Sequence, residues 1–155
     1  MKKRAAKKPR IRFDRRDSLG YQVNHLARLF ARALFRRLAK HDVAPGQFPL
    51  LVILWEQENL SQSEIARRLE IEQPTVANTL TRMERDGLVE TTPDPSNRRQ
   101  VRVKLTEKGR ALERPLTAEA RAVNAAAAAG LSATEVEMFH RVISTLKQGL
   151  AREAG

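Results

Sequence analysis

The chain has 155 residues, no cysteine and a formal net charge of +11. Without cysteine there are no disulfides and no thiol-based sensing, a composition that fits a reducing cytoplasm. No apolar run approaches the roughly 18–20 residues needed to cross a bilayer, and the N-terminus has no apolar signal-peptide core.

The charge is unevenly placed. Residues 1–16 carry nine Lys/Arg against Asp14, a net +8, so the other 139 residues hold only +3. This stretch reads as a basic arm, disordered in isolation because like charges repel and Pro9 opposes regular structure. Two roles fit it: a tether to phosphates or the minor groove, as in other arm-bearing DNA binders, and a plain solvated tail.

From about Asp17 to Asp42, Leu19, Val23, Leu26, Phe30, Ala33/Leu34 and Leu38 recur at steps of three and four. They predict one apolar stripe along a helix, with Arg28, Arg32, Arg36 and Arg37 on the other side. Pro45-Gly46 interrupts the chain before Gln47–Gln57, whose run Phe48-Pro49-Leu50-Leu51-Val52-Ile53-Leu54-Trp55 is apolar nearly all round and predicts a helix buried between others.

Residues 61–105 are the most informative. Ser61-Gln62-Ser63-Glu64 is a capping box, with Leu60 and Ile65 placed as its hydrophobic staple. The helix it starts passes Ala66 and Leu69 and turns at Glu70-Ile71-Glu72. A second helix opens at Gln73-Pro74, with proline in the first turn, presents Val76, Leu80 and Met83 on one face, and stops at Gly87. A strand (Leu88–Thr92), a turn rich in Pro, Asp, Ser and Asn (Pro93–Arg99) and an alternating strand (Gln100–Leu105) follow. Two short helices and a basic hairpin make a winged helix-turn-helix, mainly α with a small β-hairpin wing.

The chemistry left pointing outward carries the functional reading. Removing the core positions of the second helix leaves Gln73, Thr75, Asn78, Thr79 and Arg82, short hydrogen-bonding groups plus one cation, as a major-groove reader needs, and Pro74 stands with them among the candidate DNA contacts. Ser61, Gln62 and Ser63 stand at the start of the preceding helix. In the wing, Val101, Val103 and Leu105 face inward, while Gln100, Arg102 and Lys104 face out. Asn97, Arg98 and Arg99 sit at or beside the hairpin tip, where an arginine can enter an A·T-rich minor groove or bind phosphate. Arg102 is expected to contact phosphate.

These motifs resemble the multiple-antibiotic-resistance regulator (MarR) family. The residues that carry the likeness are Leu60–Ala66, Ile71-Glu72-Gln73-Pro74-Thr75-Val76, Met83–Val89 and Asp94-Pro95-Ser96-Asn97-Arg98-Arg99 followed by Val103–Gly109. The entry to the second helix is similar to SlyA-like members. The resemblance implies that the minor-groove arginine falls on Arg99. The wing departs from the family's pattern at Asn97, which stands where an acid is usual, so a wing ion pair through that position is in doubt.

Beyond the hairpin, Thr106 can cap a helix carrying Leu112, Leu116, Ala120 and Val123, bent at Pro115. Alanines 125–129 extend it and Gly130 ends it. Leu131-Ser132-Ala133-Thr134-Glu135-Val136 is a second capping box with its staple, opening a last helix through Phe139, Val142/Ile143, Leu146 and Leu150. The terminal helices can bury their stripes against a second copy of the chain or against each other. A symmetric homodimer is the economical solution, and the resemblance implies it too.

The expected organisation is thus a basic arm (1–16), an N-terminal dimerisation helix (17–44), the winged helix-turn-helix (45–109) and C-terminal dimerisation helices (110–155). His25, His41 and His140 are isolated, and no Gly-rich phosphate loop or nucleophile motif is present. No enzyme, metal or cofactor is expected. The resemblance implies a small aromatic effector near His41, Gln47 and Phe48, although Phe48 and Trp55 also read as core. The expected function is that of a double-stranded-DNA-binding regulator, a repressor released by a small ligand. An effector-independent architectural DNA binder and a helical protein-interaction module are the rival readings.

Overall fold

The computed structural model describes residues 14–97 and 100–153. Residues 1–13 of the basic arm, and Arg98 and Arg99, expected from the sequence to contact DNA, lie outside the described residues.

Helix α1 (Leu19–Leu38) starts at Ser18, whose hydroxyl accepts from the Tyr21 N–H at 3.3 Å. It closes through a 3₁₀ turn, Ala39–His41, and Asp42 at φ 56°. After Pro45-Gly46 comes α2 (Phe48–Glu56), with Pro49 in its first turn, where a missing N–H costs nothing. Its Leu50, Leu51 and Leu54 are fully buried at the centre of the molecule. Around them pack Leu38, Ile65, Val76, Leu80, Met83, Val103, Leu105 and Leu116. Each such side chain stabilises the fold by about 1.5–3 kcal/mol relative to exposure.

The capping box forms as its sequence dictates. The Ser61 hydroxyl accepts from Glu64 N–H, and Glu64 Oε2 accepts from Ser61 N–H at 2.7 Å, opening α3 (Gln62–Leu69). Leu60 and Ile65, the staple pair, are buried in the common core. Helix α4 (Gln73–Arg85) ends in a Schellman turn: Leu88 N–H reaches Met83 C=O at 2.8 Å and Gly87 N–H reaches Glu84 C=O at 3.0 Å. Gly87 sits at φ 71°, a region where a side chain would be strained.

The sheet has three strands rather than two. β1 (Leu60–Ser61) joins β2 (Val89–Pro93) and β3 (Val101–Leu105) in the order β1-β3-β2, all antiparallel. β1 escapes a periodicity reading because it is two residues long. It forms because the residue that caps α3 is extended (φ −76°, ψ 161°) and can pair with Arg102.

The break after the wing also differs from expectation. The helical stretch is interrupted three residues before Pro115, splitting into α5 (Glu107–Ala111) and α6 (Glu113–Ala127) with the junction at Leu112 (φ −76°, ψ −14°). Pro115 has no N–H to offer the carbonyl four residues back, and its ring crowds that carbonyl, so the disruption falls upstream of the proline. α6 ends at Ala127, before the alanine run is complete.

The second capping box opens α7 (Ala133–Glu153) as expected, with Glu135 accepting from Ser132 N–H at 2.7 Å. None of the α7 residues is buried. Phe139, Val142 and Leu150 are 44%, 46% and 70% exposed, and Leu19, Val23, Leu29 and Phe35 of α1 are exposed as well. α1 packs on α6, tied by the Arg37–Glu119 ion pair at 2.8 Å. Within one chain, much of both terminal stripes stays open to solvent.

Candidate nucleic-acid interface

The interface is built where the N-termini of α3 and α4 meet the base of the wing. A polar cleft of about 270 Å³ lies there, lined by Ser61, Gln62, Ser63, Gln73, Gln100 and Val101. Gln100 joins the expected DNA-contacting residues here. Its outward place on an alternating strand was the available signal.

Gln73, Pro74, Thr75, Asn78 and Arg82 of α4 are exposed. Arg82 Nε donates to the Asn78 backbone carbonyl at 3.3 Å. Thr79 is a correction. It is only 4% exposed, and its hydroxyl donates to the Thr75 carbonyl at 2.8 Å. Three residues past Val76 and one before Leu80, it shares their inward face, so it supports the helix and presents nothing to a groove. Ser61 is likewise buried, at 4%, with its hydroxyl committed to the cap. Ser63 and Gln62 remain accessible beside it.

Arg102 differs from expectation most. It is not a free outward cation. Its Nε donates to Asp94 Oδ2 at 2.6 Å and its Nη1 to Glu64 Oε2 at 3.0 Å. Asp94 is buried, and its other oxygen accepts from the Ser96 hydroxyl (2.6 Å) and N–H (2.8 Å). These Ser96 bonds, with Arg102 beyond them, hold the Asp94 carboxyl down to about 2. Glu64 is also lowered, first by the Ser61 N–H and hydroxyl and then by the charge of Arg102. The wing therefore has an ion pair through Asp94, although Asn97 replaces the acid usual at the tip. Asn97 is exposed, and its N–H closes the turn onto the Asp94 carbonyl at 3.2 Å.

The residues expected to hold an effector are occupied in packing. Gln47 is 3% exposed; its Nε2 donates to Asp86 Oδ2 at 2.7 Å and its Oε1 accepts from Ala44 N–H at 2.9 Å. Its amide thus straps the corner before α2 to the end of α4. That Gln47 contact, and then Arg85, lower the Asp86 carboxyl. Phe48 meets Trp55 edge-on, ring centroids 6.2 Å apart, and Trp55 Nε1 donates to the Gly109 carbonyl at 3.0 Å. His41 Nε2 lies 3.8 Å from Glu119 Oε1. A different, largely apolar cleft of about 320 Å³ opens between α1, the end of α6 and the start of α7, with Phe30, Phe139, Asn124 and His140 in its wall. Among the described residues no group of three or more His, Asp or Glu is placed to hold a metal ion. No helix among them is long and apolar enough to cross a membrane.

Known proteins share this architecture. The HTH-type transcriptional regulator TtmR of Methylorubrum extorquens (strain PA1) is 38% identical over 97 residues, which are 63% of this chain and 50% of that protein. The chain thus spans about half the length of this curated relative. A transcriptional regulator from Pseudomonas aeruginosa superposes with a TM-score of 0.77 at 29% identity, covering 84% of this chain and 98% of that one. A MarR family transcriptional regulator from Listeria monocytogenes, solved with 26mer DNA, superposes with a TM-score of 0.80 at 23% identity, covering 88% and 91%. The MarR family model matches residues 43–101, the stretch that holds α2, the helix-turn-helix and the wing. That match falls on the capped α3–α4 pair and the three-stranded wing, so this part of the chain is similar to the MarR family.

Proposed function

We propose that the protein is a cytoplasmic, homodimeric transcriptional repressor that binds a pseudo-palindromic operator and leaves it when a small aromatic molecule binds. The observation that carries the DNA reading is the exposed row Gln73, Thr75, Asn78 and Arg82 beside the polar cleft of the α3 N-terminus. Short donors and acceptors on a projecting helix suit base edges, and the N–H groups of α3 suit a phosphate. The Listeria monocytogenes structure, which contains DNA, supports the same use of the fold.

The open stripes of α1 and α7 support dimerisation through residues 17–44 and 110–155, leaving 45–109 as the reader. The cleft between α1, α6 and α7 supports the effector, since about 300 Å³ is the lower end of the size range for small-molecule sites.

Selection of bound sequences by the full chain, followed by footprinting, tests the reading. The expected product is a pseudo-palindrome with half-site centres about one helical turn, roughly 34 Å, apart. Arg99→Ala should lose most affinity on sites with A·T-rich flanks. The absence of a salt-dependent DNA shift would sink the DNA reading. Complexes that no aromatic acid or phenol releases would leave an effector-independent architectural binder.

A further inference from the structure

Arg102 is the residue that touches both halves of the reader. Glu64 Oε2 accepts from Ser61 N–H, Ser61 hydroxyl and Arg102 Nη1, so the cap of α3 and the strand β3 share one oxygen. The same guanidinium reaches Asp94, where β2 gives way to the wing turn, and Nη1 also donates to the Asn59 carbonyl at 3.3 Å. Asp94 in turn organises the wing: its side chain binds Ser96, its N–H donates to Gln100 C=O at 2.9 Å and its carbonyl accepts from Asn97 N–H. Beyond its pairing with β1 at Val103 and Arg102 the wing is a two-stranded ribbon, and a lone two-stranded hairpin is only marginally stable in water. Here its base is pinned to the first helix of the helix-turn-helix by a planar, two-ended donor, a role that a point-like ammonium cannot fill.

We propose that Arg102 is a positioning residue that fixes the tilt of the wing relative to α3 and α4, and so sets the distance between the wing's contact on DNA and that of the reading helix. Asp94 and Glu64 are its two anchors. This rests on the proposed reading that the wing and α4 engage one half-site together. In that role Arg102 discriminates between operators without touching them: a wing held at one angle matches one placement of the flank.

Arg102→Met and Glu64→Gln in the full chain separate this from a phosphate contact. Glu64→Gln keeps an oxygen for the α3 cap, leaves Arg102 charged and alters no atom of the wing. The amides of Ser96 and Gln100, followed by hydrogen exchange, should exchange at least about tenfold faster in both variants, with α4 protection unchanged. On operators with A·T and G·C flanks, both variants should lose at least about threefold in flank preference. The double variant should be no worse than either single one, as for residues acting through one contact. The slope of affinity against salt should stay at its wild-type value, because no phosphate partner is lost.

A uniform loss for Arg102→Met with a shallower salt slope, and none for Glu64→Gln, would make Arg102 a phosphate ligand and overturn the proposal. Unchanged wing exchange in both variants would overturn it as well. If the wild-type chain shows no flank preference, the wing's groove reading fails, and the exchange of Ser96 and Gln100 in Glu64→Gln still decides the coupling.

Discussion

Asn78 and Thr79 are neighbours with opposite fates, and they show what a single residue's direction decides. Asn78 is exposed on α4; Thr79 is turned into the core with its hydroxyl bonded to Thr75 C=O. Asn78→Ala should flatten discrimination between operator and random DNA by about 1–3 kcal/mol at the contacted base pair. Thr79→Val should leave discrimination unchanged while altering stability by about 1 kcal/mol, the net worth of one hydrogen bond. Binding isotherms on matched and random duplexes, with urea unfolding of each variant, check both. The sequence could not separate the two, since threonine is as fit for a groove as for a helix that turns its hydroxyl onto the carbonyl four residues back. Similarly, Gln47 had the chemistry of a ligand contact, and only its position facing Asp86 shows that both ends of its amide are used within the chain.

At the level of elements, capping explains why so much of the fold was legible. Ser61-to-Glu64, Thr106-to-Gly109 and Ser132-to-Glu135 are local arrangements, complete within four residues, and each starts its helix where the sequence places it. What depends on distant partners was not legible: β1 forms only by pairing Leu60 with Val103 and Ser61 with Arg102, and the Arg102 guanidinium joins Asp94, 8 positions away, to Glu64, 38 positions away. That wing carries a pH prediction. The Asp94 carboxyl is held below its ordinary value of 3.8, at about 2, by Ser96 and Arg102. Its contribution is therefore complete above about pH 4 and is lost as pH falls through 2. The stability difference between wild type and Asp94→Asn should shrink steadily as pH is lowered from 4 to 2 and stay constant from 5 to 7. Chemical denaturation at each pH measures it, and a difference that persists at pH 2 would count against the assignment.

For the whole molecule, the exposed apolar stripes matter most. Large apolar side chains in a row seldom face water along two helices of a stable monomer. Phe139 and Val142 of α7 and Leu29 of α1 are each more than 40% exposed in the single chain. Sedimentation of the full chain at micromolar concentration should therefore give a dimer. Val142→Glu with Phe139→Glu should shift it to a monomer that keeps its secondary structure but binds operator at least about tenfold more weakly. A wild-type monomer at that concentration would remove the homodimer from the proposed function. The amphipathic spacing announced these helices, yet spacing alone says nothing about whether a stripe is covered from within or by a second copy.

Thr106 joins these scales. Its hydroxyl donates toward the Gly87 and Leu88 carbonyls at the end of α4 and accepts from Gly109 N–H at the start of α5. A methyl group at Gly109 would stand 2.2 Å from the Leu88 carbonyl oxygen, so the two helix ends are in backbone contact with no slack between them. Such a joint behaves as a fulcrum. α4, with 13 residues, is about 20 Å long at 1.5 Å per residue. A rotation of about 5° imposed through α5 would move the far end of α4, where Gln73 and Thr75 stand, by about 1.7 Å. Hydrogen bonds to base edges tolerate only a few tenths of an ångström between their best and poor lengths. By this geometry a small rotation at the joint would be magnified along α4, at the end where Gln73 and Thr75 stand.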